Sequence, residues 1–359
     1  MNVVGAVWDH LRLQLHDLQG FVRLLWNLSP LRCLGLLIAL LCPQPSQGQS
    51  LEGAPSEGWA RWQVPKQAGT GRVCCFEGAD LTVRGCSLDA RAKGYHLNAS
   101  TRDAPASDRL DVYVRFAAGE PVDLRAYDGA CPVHSASPPI ELTAVSPESS
   151  VRWLVAQSVA EQRSRESKAA LADSALTAVA LHATPAATAA LIDLSAADRP
   201  EALRRRATFW LGQARGEAGI ERVLALSRGA EADAFLEHLA FVLSQSELPQ
   251  ARTGLSALAG AGRSDEVRGS ALFWIAQAGW QDAEPRILDV LDFDATSGLQ
   301  EKAVFALSQL EEGADEALIR VLEGRYPRAA KKQALFWLGQ SGSDRALEFL
   351  DRYLREGAG

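Results

Sequence analysis

The stretch Phe209-Trp210-Leu211-Gly212-Gln213 is the first copy of a phrase that occurs five times in the second half of the chain. The copies share phenylalanine at the first position: Phe209, Phe241, Phe273, Phe305 and Phe336. They share glutamine at the last position: Gln213, Gln245, Gln277, Gln309 and Gln340. Successive phenylalanines are 32, 32, 32 and 31 residues apart, a period that is typical of a repeat array.

Each repeat unit contains two stretches with helical periodicity. A small or aliphatic residue stands two positions before each phenylalanine, and with the apolar residue four positions later it forms a pair on one helix face. A second aliphatic column lies fourteen residues after each phenylalanine, as at Val223 and Leu255. Turn residues such as those of 341–344 separate the two stretches. The pattern therefore predicts two helices per unit.

The last copy carries a family resemblance. Residues 332–340, followed by the turn and helix start of 341–347, resemble the short HEAT-like repeat that is also found in phycobilisome-lyase-type proteins. The resemblance covers residues 168 to 354 and implies a mainly α fold, a right-handed α-solenoid of HEAT-like helix pairs. It says little about function, because HEAT-like arrays serve many unrelated tasks.

Composition and net charge indicate a globular protein and argue against some functional classes. The 359 residues are 47% hydrophobic and 23% charged, which is ordinary for globular protein. The formal charge of −7 argues against a general nucleic-acid binder, which needs clustered lysine and arginine to neutralise phosphates. The alanine-rich composition, with more arginine than lysine, favours a bacterial gene.

The first 48 residues have the features of a signal peptide. Arg32 precedes an apolar run of nine residues, 34–42, which is too short to span a bilayer but suits a signal-peptide core. Small residues at Ser46 and Gly48 predict cleavage after Gly48. We therefore expect export to the periplasm or cell envelope, with membrane contact only through this segment or at the periphery.

Three alternatives for this segment stay open. The long acidic lead-in, with Asp9 and Asp17, favours a true start nearer Val22. The segment could be retained as an anchor. Cys42 could be lipidated, although Leu41 before it is a poor fit to lipoprotein processing.

Two segments lie between the leader and the helices. Residues 49–70 are rich in Gly, Pro and Ser and are predicted to be a linker that Trp59 and Trp62 pin at its end. In 71–145 the apolar period changes to two, as in 110–116 and 121–127, which predicts a β-hairpin within a small antiparallel β domain.

Four cysteines fall in the predicted β domain: Cys74, Cys75, Cys86 and Cys131. In an oxidising compartment they would compensate for a thin core as two disulfides. A bridge between adjacent Cys74 and Cys75 would be strained, so the two pairings that separate them are favoured. Free or metal-bound thiols are the alternative, although the two-residue spacing typical of zinc ribbons is missing.

A connecting helix and a capping repeat are predicted over 146–200, followed by five HEAT-like repeats of about 32 residues over 201–359. Ser146 and Pro147 have the character of a helix cap and a first helical residue. Trp153 is expected to pack across the joint between the β domain and the solenoid. The unit around 178–194 is degenerate, as terminal repeats of solenoids usually are.

No catalytic, cofactor-binding or metal-binding residue is predicted. The sequence lacks a nucleophile elbow, a phosphate-binding loop and a dinucleotide fingerprint. Glu237-His238 resembles one reversed half of the His-Glu pairs of HEAT-like di-iron hydroxylases, but it occurs once. His134-Ser135 has no orienting acid in the sequence.

Basic residues near the helix starts could form an anionic-partner patch: Arg204, Arg205, Arg206, Arg268, Lys331 and Lys332. Solvated pairs with nearby acidic residues are the alternative that we favour. The repeated glutamines are interpreted as structural clips near buried phenylalanines rather than as a ligand-facing ladder, with a cost of about 1 to 3 kcal/mol for Gln277→Ala.

The predicted function is a non-catalytic interaction scaffold of the bacterial cell envelope, which binds an unknown protein partner through the solenoid with the β domain as an accessory module. The chain is not predicted to be an enzyme and no cofactor is expected. The alternative is a cofactor- or metal-handling oxidoreductase of the HEAT-like lyase or hydroxylase kind.

Overall fold

The computed structural model describes residues 51–77, 82–90, 96–98, 107–160, 166–293 and 296–357. Contacts divide the chain into two units, Met1–Gly48 and Gln49–Gly359. The predicted signal peptide falls in the first unit and lies outside the described residues. None of the helices in the described ranges has the length and apolar character that crossing a membrane requires.

The β region contains three small sheets. The largest has the strand order β7, β6, β1, β9, with β9 parallel to β1 and the other neighbours antiparallel. The second has the order β3, β2, β5, and the third pairs β4 with β8. Within the described residues the strands are β1 Gly58–Pro65, β2 Arg72–Glu77, β3 Thr82–Arg84, β4 Cys86–Ser87, β5 His96–Asn98, β6 Arg109–Ala117, β7 Glu120–Asp128, β8 Val133–His134 and β9 Ile140–Glu141.

Strand β1 corrects the prediction of a linker over 49–70. Gly58–Pro65 pairs along its whole length with β6, and Trp62 and Val64 are buried in the core. The turn-rich composition around it concealed the strand, because its pairing partner lies about fifty residues further along the chain. The predicted hairpin forms as β6 and β7, and its expected inward face, including Leu110 and Val112, is buried.

The remaining chain is helical. The helices are α1 Pro147–Val159, α2 Glu166–Leu181, α3 Pro185–Leu194, α4 Glu201–Ala214, α5 Gly216–Arg228, α6 Asp233–Ser244, α7 Pro249–Ala259, α8 Asp265–Gln277, α9 Ala283–Phe293, α10 Ser297–Ser308, α11 Ala314–Glu323, α12 Arg328–Ser341 and α13 Asp344–Gly357. Helix α1 begins at the predicted cap: Pro147 is its first residue, and the Ser146 side chain accepts a hydrogen bond from the Ser149 amide.

The five repeat units are the helix pairs α4/α5, α6/α7, α8/α9, α10/α11 and α12/α13, and they form a HEAT-like solenoid preceded by the small sheets. The first helices of successive units pack closely on one another, whereas the second helices make few mutual contacts. A stack in which one layer is more tightly spaced curves towards that layer. The first helices, α4, α6, α8, α10 and α12, therefore form the inner side of the array.

The sheet and the solenoid share one hydrophobic core, which runs from Ala60 in β1 to Phe349 in α13. The rings of Trp62 and Trp153 meet edge to face at 5.9 Å, so Trp153 lies at the joint, as expected. Because the core is continuous, the β region is part of the folded body rather than a separately packed module.

Candidate functional site: an aromatic ladder on the inner layer

Eight aromatic rings form an unbroken row across the five first helices. In spatial order they are Trp210, Phe209, Phe241, Trp274, Phe273, Phe305, Trp337 and Phe336, called here the aromatic ladder. Neighbouring ring centroids are 4.9 to 6.2 Å apart. These distances lie within the range at which aromatic pairs attract one another.

The ladder repeats every two units rather than every one. Phe209 stacks on Phe241 and Phe273 stacks on Phe305, with interplanar angles of 7° and 3°. A tryptophan follows the phenylalanine in the first, third and fifth copies of the phrase. In the third and fifth copies, Trp274 and Trp337 close the gap to the preceding stacked pair, whereas Trp210 is the first ring of the row. The alternation of phenylalanine and tryptophan is therefore what makes the row continuous.

The phenylalanines are not the buried residues that the sequence predicted. The first four are half-buried, and Phe336 is 53% exposed. The core positions of these helices are filled instead by the small and aliphatic residues that flank them, such as Ala207 and Leu211. The sequence periodicity could not show which helix face is buried, because the phenylalanines and the small and aliphatic residues that flank them recur with the same period. A continuous row of partly exposed rings is a candidate binding surface.

The glutamines lie one turn beyond the ladder. Gln277 Nε2 donates to the carbonyl of Gln309 at 2.8 Å, which links two repeats as a clip would. Gln245 and Gln309 instead reach the hydroxyl of the serine before them, at 3.2 and 3.1 Å. Most of these glutamines, including Gln277, are exposed. The free-energy cost expected for Gln277→Ala assumes a buried amide, so it does not apply. The glutamine side chains therefore form a line of mostly exposed amides beside the aromatic ladder.

The possible basic patch, which the sequence favours less than solvated ion pairs, does not form as a unit, because Arg204 and Arg268 are buried in the fold. Arg204 Nη2 pairs with Glu231 at 2.7 Å, and its guanidinium lies over the ring of Phe235. Arg268 is buried as well, and its Nε donates to the carbonyl of Ala259. Arg204 makes the equivalent contact with the preceding helix end, so these two arginines are inter-repeat clips.

The other members of that patch are dispersed. Arg205 pairs with Glu201 at 2.7 Å, and Arg206 pairs with Asp173. Lys331 and Lys332 lie on α12, at the opposite end of the array from α4. A contiguous basic site needs charges that are close together and unpaired, and the six candidate residues taken together lack this arrangement.

A cavity of 330 Å³ opens beside the first ring of the ladder, between α2, α4 and α6. Its lining combines Phe209 and Trp210 with the Arg206–Asp173 ion pair and His238. His238 Nε2 lies 3.0 Å from the Thr208 hydroxyl and 2.9 Å from the Arg205 carbonyl, and burial lowers the pKa of His238. Its neighbours are those of a packed helix residue.

A serine and histidine pair that the sequence did not reveal lies at the joint. Ser150 Oγ is 2.8 Å from His182 Nε2, and His182 Nδ1 is 2.6 Å from the Ala178 carbonyl. The indole of Trp62 donates to Ser150 Oγ at 2.8 Å. Both Ser150 and His182 are fully buried, so no substrate could reach the pair. Its role is to fasten β1, α1 and α2 together.

Arg215 completes this joint. Its guanidinium donates to the His182 and Val179 carbonyls at 2.9 Å and to Gln67 Oε1 at 2.8 Å. Burial lowers the pKa of Arg215 to about 10. Burial also lowers the pKa of His182 to about 4, against the opposing effect of the Ala178 carbonyl and with a smaller contribution from the charge of Arg215. His182 is therefore neutral at physiological pH.

The four cysteines form two disulfides, Cys74–Cys131 and Cys75–Cys86. This is one of the two pairings that the sequence left open. The bridges tie β2 to β4 and to the turn before β8. The buried sulfurs share an apolar cluster with Trp59, which lies on β1.

Comparisons with known proteins give fold-level likeness only. No family model and no curated relative matches the chain. The complex of CpcE and CpcF of phycocyanin lyase from Nostoc sp. PCC7120 is 20% identical, with a TM-score of 0.29 over 60% of this chain and 94% of that chain. Human deoxyhypusine hydroxylase is 13% identical, with a TM-score of 0.26 over 58% of this chain and 90% of that chain.

These neighbours correct one prediction. The chain was predicted not to be an enzyme, and that prediction is wrong as it stands, because both solved structures that it resembles carry the names of enzymes. The absence of sequence motifs was a weak basis for it, because a site built from residues that are distant along the chain leaves no local motif. At these identities the likeness concerns the fold and brings no activity to this chain.

Proposed function

We propose that the protein binds an extended segment of a protein partner along the aromatic ladder. The observation that carries the proposal is the continuity of eight rings on the inner layer, of which one is buried, six are half-buried and one is exposed. Extended peptides commonly dock in aromatic-lined grooves, where flat rings give contact area at a small cost in side-chain entropy. The inner side of a solenoid curves around such a segment.

The length of the ladder sets the length of the segment. Four steps between packed helices, at about 8 to 10 Å each, span roughly 30 to 40 Å. An extended chain covers about 3.3 Å per residue, so about ten residues of the partner would lie against the rings. The exposed amides of Gln213 and Gln340 lie where they can bond to its backbone.

Charge favours a partner segment that carries basic side chains. Asp233, Glu237 and Glu301 lie on the first helices at the edge opposite the glutamines, and in the described ranges none of them has an ion-pair partner. On the same edge Arg205 and Arg206 are already paired, and the partly or fully exposed basic residues of the first helices for which the described ranges show no ion pair lie at the far end, on α12. The proposed ligand is thus an extended segment with apolar or aromatic side chains and lysine or arginine beside them.

The test is selection from a displayed library of random twelve-residue peptides with the purified chain, followed by titration of the enriched peptides. We expect enrichment of apolar and basic side chains, and a change in tryptophan fluorescence from the ladder on binding. Phe241→Ala, within the ladder, should weaken binding by about tenfold or more, as for a residue near the centre of a contact surface, and Phe336→Ala, at the end of the ladder, should weaken binding by less.

The matched control is Leu354→Ala. Leu354 is 60% exposed and apolar, but it lies on α13, away from the ladder, so its removal should leave peptide binding unchanged. Equal loss of binding in the control and ladder variants would contradict the proposal. So would a natively purified protein whose visible absorption shows a chromophore that Phe241→Ala releases.

Export to the cell envelope is a second part of the proposal. It is supported by the apolar run of 34–42 and by the two disulfides, which persist in oxidising compartments. Sequencing the amino terminus of the native protein tests it. We expect a terminus close to residue 49, and a cytosolic protein that begins at Met1 would contradict export.

A further inference from the structure

The four cysteine sulfurs lie together as a chain of contacts rather than as two isolated bridges. Cys86 Sγ and Cys131 Sγ, which belong to different disulfides, are 3.5 Å apart. The sulfurs of Cys74, Cys86 and Cys131 all lie within 4.8 Å of one another, and all three residues are buried. Cys75, the fourth, is bonded to Cys86 and is half-buried.

These separations suit a tetrahedral metal as well as they suit disulfides. Zinc bound by thiolates has Zn–S distances of about 2.3 Å, which places neighbouring sulfurs about 3.8 Å apart. The contact between Cys86 and Cys131 already has nearly this length without a bond between them. Small movements would open the bridged pair of Cys74 and Cys131 to the same spacing.

The backbone holds three of these positions independently of the bridges. The Cys86 amide donates to the Pro132 carbonyl at 2.7 Å within the β4–β8 pair, which fixes Cys86 beside Cys131. The Cys131 amide donates to the Asp128 carbonyl at 2.8 Å at the end of β7. Cys74 lies on β2. The cysteines would therefore remain close together with their sulfurs reduced.

A buried cation beside the cluster gives an independent reason to expect negative charge there. Arg72 is 7% exposed, and its Nε has no hydrogen-bond partner. It is two residues before Cys74 on β2, so the two side chains share a face of that strand, and its Nη2 donates to the Ala130 carbonyl next to Cys131. A buried guanidinium with an unsatisfied nitrogen is costly unless an anion lies near it.

We propose that Cys74, Cys86 and Cys131 supply three thiolates of a Zn²⁺ site in the reduced chain, with the fourth position of the tetrahedron open to water. Cys75 follows Cys74 on β2 and so points to the other face of the strand, and it is not a ligand. Each of these three thiols loses its proton when it binds the metal, so binding releases three protons and gives a site of net charge −1, which Arg72 would balance. Exchange with an external disulfide oxidant transfers four electrons from the four cysteines to that oxidant, which is reduced to thiols, and the formation of the two disulfides releases the metal. The newly made chain holds thiols before any disulfide forms, so no reductant is needed to reach the metal-binding state.

The test uses the full chain carrying Cys33→Ser and Cys42→Ser, which removes the remaining two cysteines. The protein is reduced with a phosphine under anaerobic conditions and titrated with Co²⁺. We expect saturation at one Co²⁺ per chain, with a thiolate charge-transfer band and the ligand-field bands of tetrahedral Co²⁺, all displaced by Zn²⁺. Cys131→Ser should remove the tetrahedral spectrum, and Arg72→Met should weaken the affinity by about 10- to 100-fold.

Two control measurements distinguish metal binding by the folded site from binding by unfolded chain. Far-ultraviolet circular dichroism reports whether each reduced variant keeps its helices, and the same titration in concentrated urea reports binding by the unfolded chain. Saturable tetrahedral binding by the folded chain alone supports the site. No tetrahedral spectrum, an unchanged spectrum in Cys131→Ser, or equal affinity in urea would overturn it.

Discussion

The joint between the sheet and the first helices differs in its chemistry from the inner layer of the repeats. At the joint, polar groups are buried: Ser150, His182 and Arg215 are enclosed and hydrogen-bonded. On the inner layer, apolar rings such as Phe241 and Phe336 remain half-exposed or exposed. The joint therefore buries polar groups that water would solvate, whereas the inner layer leaves apolar rings partly exposed to water.

This difference separates architecture from function. At the joint, strands with a side-chain period of two pack against helices with a period of about 3.6, so their surfaces do not interlock regularly. Directional hydrogen bonds fix the orientation of the strands relative to the helices there. The repeats pack on one another mainly through small and aliphatic residues, and the partly exposed rings add contacts between neighbouring repeats at the edge of this core. Rings that the fold does not bury are available to a partner.

The largest effect is expected at the joint, from Asp128→Ala. Lys66 Nζ donates to Asp128 Oδ2 at 2.6 Å, and both side chains are buried. Removing the carboxylate leaves a buried ammonium without its partner, which should lower the free energy of unfolding by about 3 to 5 kcal/mol. Urea denaturation measures the change. The exposed pair of Arg355 and Asp351 is the matched control, and Asp351→Ala should cost less than about 1 kcal/mol.

The second-largest loss of stability is expected at low pH, through protonation of His182 at the joint. The pKa of His182 is about 4 in the folded protein and near 6.5 in the unfolded chain, so the unfolded chain takes up its proton first as the pH falls. The stability that neutral His182 contributes is present in full above pH 6.5 and is lost between pH 6.5 and about 4. The difference of about 2.5 units corresponds to about 3 kcal/mol.

Unfolding free energies at a series of pH values, for the wild type and His182→Gln, check this expectation. The variant should be less stable at pH 7 but should lose less stability than the wild type as the pH falls. His238→Gln is the control, since it removes the half-buried histidine of the ladder region instead. Parallel pH profiles for the wild type and His182→Gln would exclude His182 as the cause.

On the inner layer, the rings should matter less for stability than for binding. Phe273 contacts Trp274 and Phe305 within the row, and Phe273→Ala should cost about 2 kcal/mol, below the range for a fully buried phenylalanine. Phe336, at the exposed end, should cost about 1 kcal/mol or less. Urea denaturation checks both values. A loss of 4 kcal/mol or more at Phe336 would mean that the ladder is core and not a surface.

The smallest effect is expected from the glutamines. Gln277→Ala removes one exposed inter-repeat hydrogen bond and should cost about 0.5 to 1 kcal/mol. Gln213 lacks this contact with the next repeat in the described part of the chain, so Gln213→Ala should change stability by about 0.5 kcal/mol or less. Equal and larger losses at both positions would restore the interpretation of the whole row as structural clips.

Much of the fold could be predicted from the repeats, and little of the candidate site. The spacing of the phenylalanines gives the number of helix pairs, and the alternation in β6 gives a strand with one buried face. The exposure of Phe336 could not be predicted, because a repeated phenylalanine is consistent with either face of a helix layer. Arg204 and Arg268 were placed in a patch because charge says nothing about the direction in which a side chain points.

The sequence by itself determined the solenoid and the length of its units, because local periodicity and turn residues act over a few residues of chain. Tertiary structure alone decided that β1 is a strand, that the cysteines converge, and that alternate tryptophans close an eight-ring row. Each of these depends on contacts between residues that are distant along the chain. Such contacts are set by how helix layers and strands meet in space, which no local pattern records.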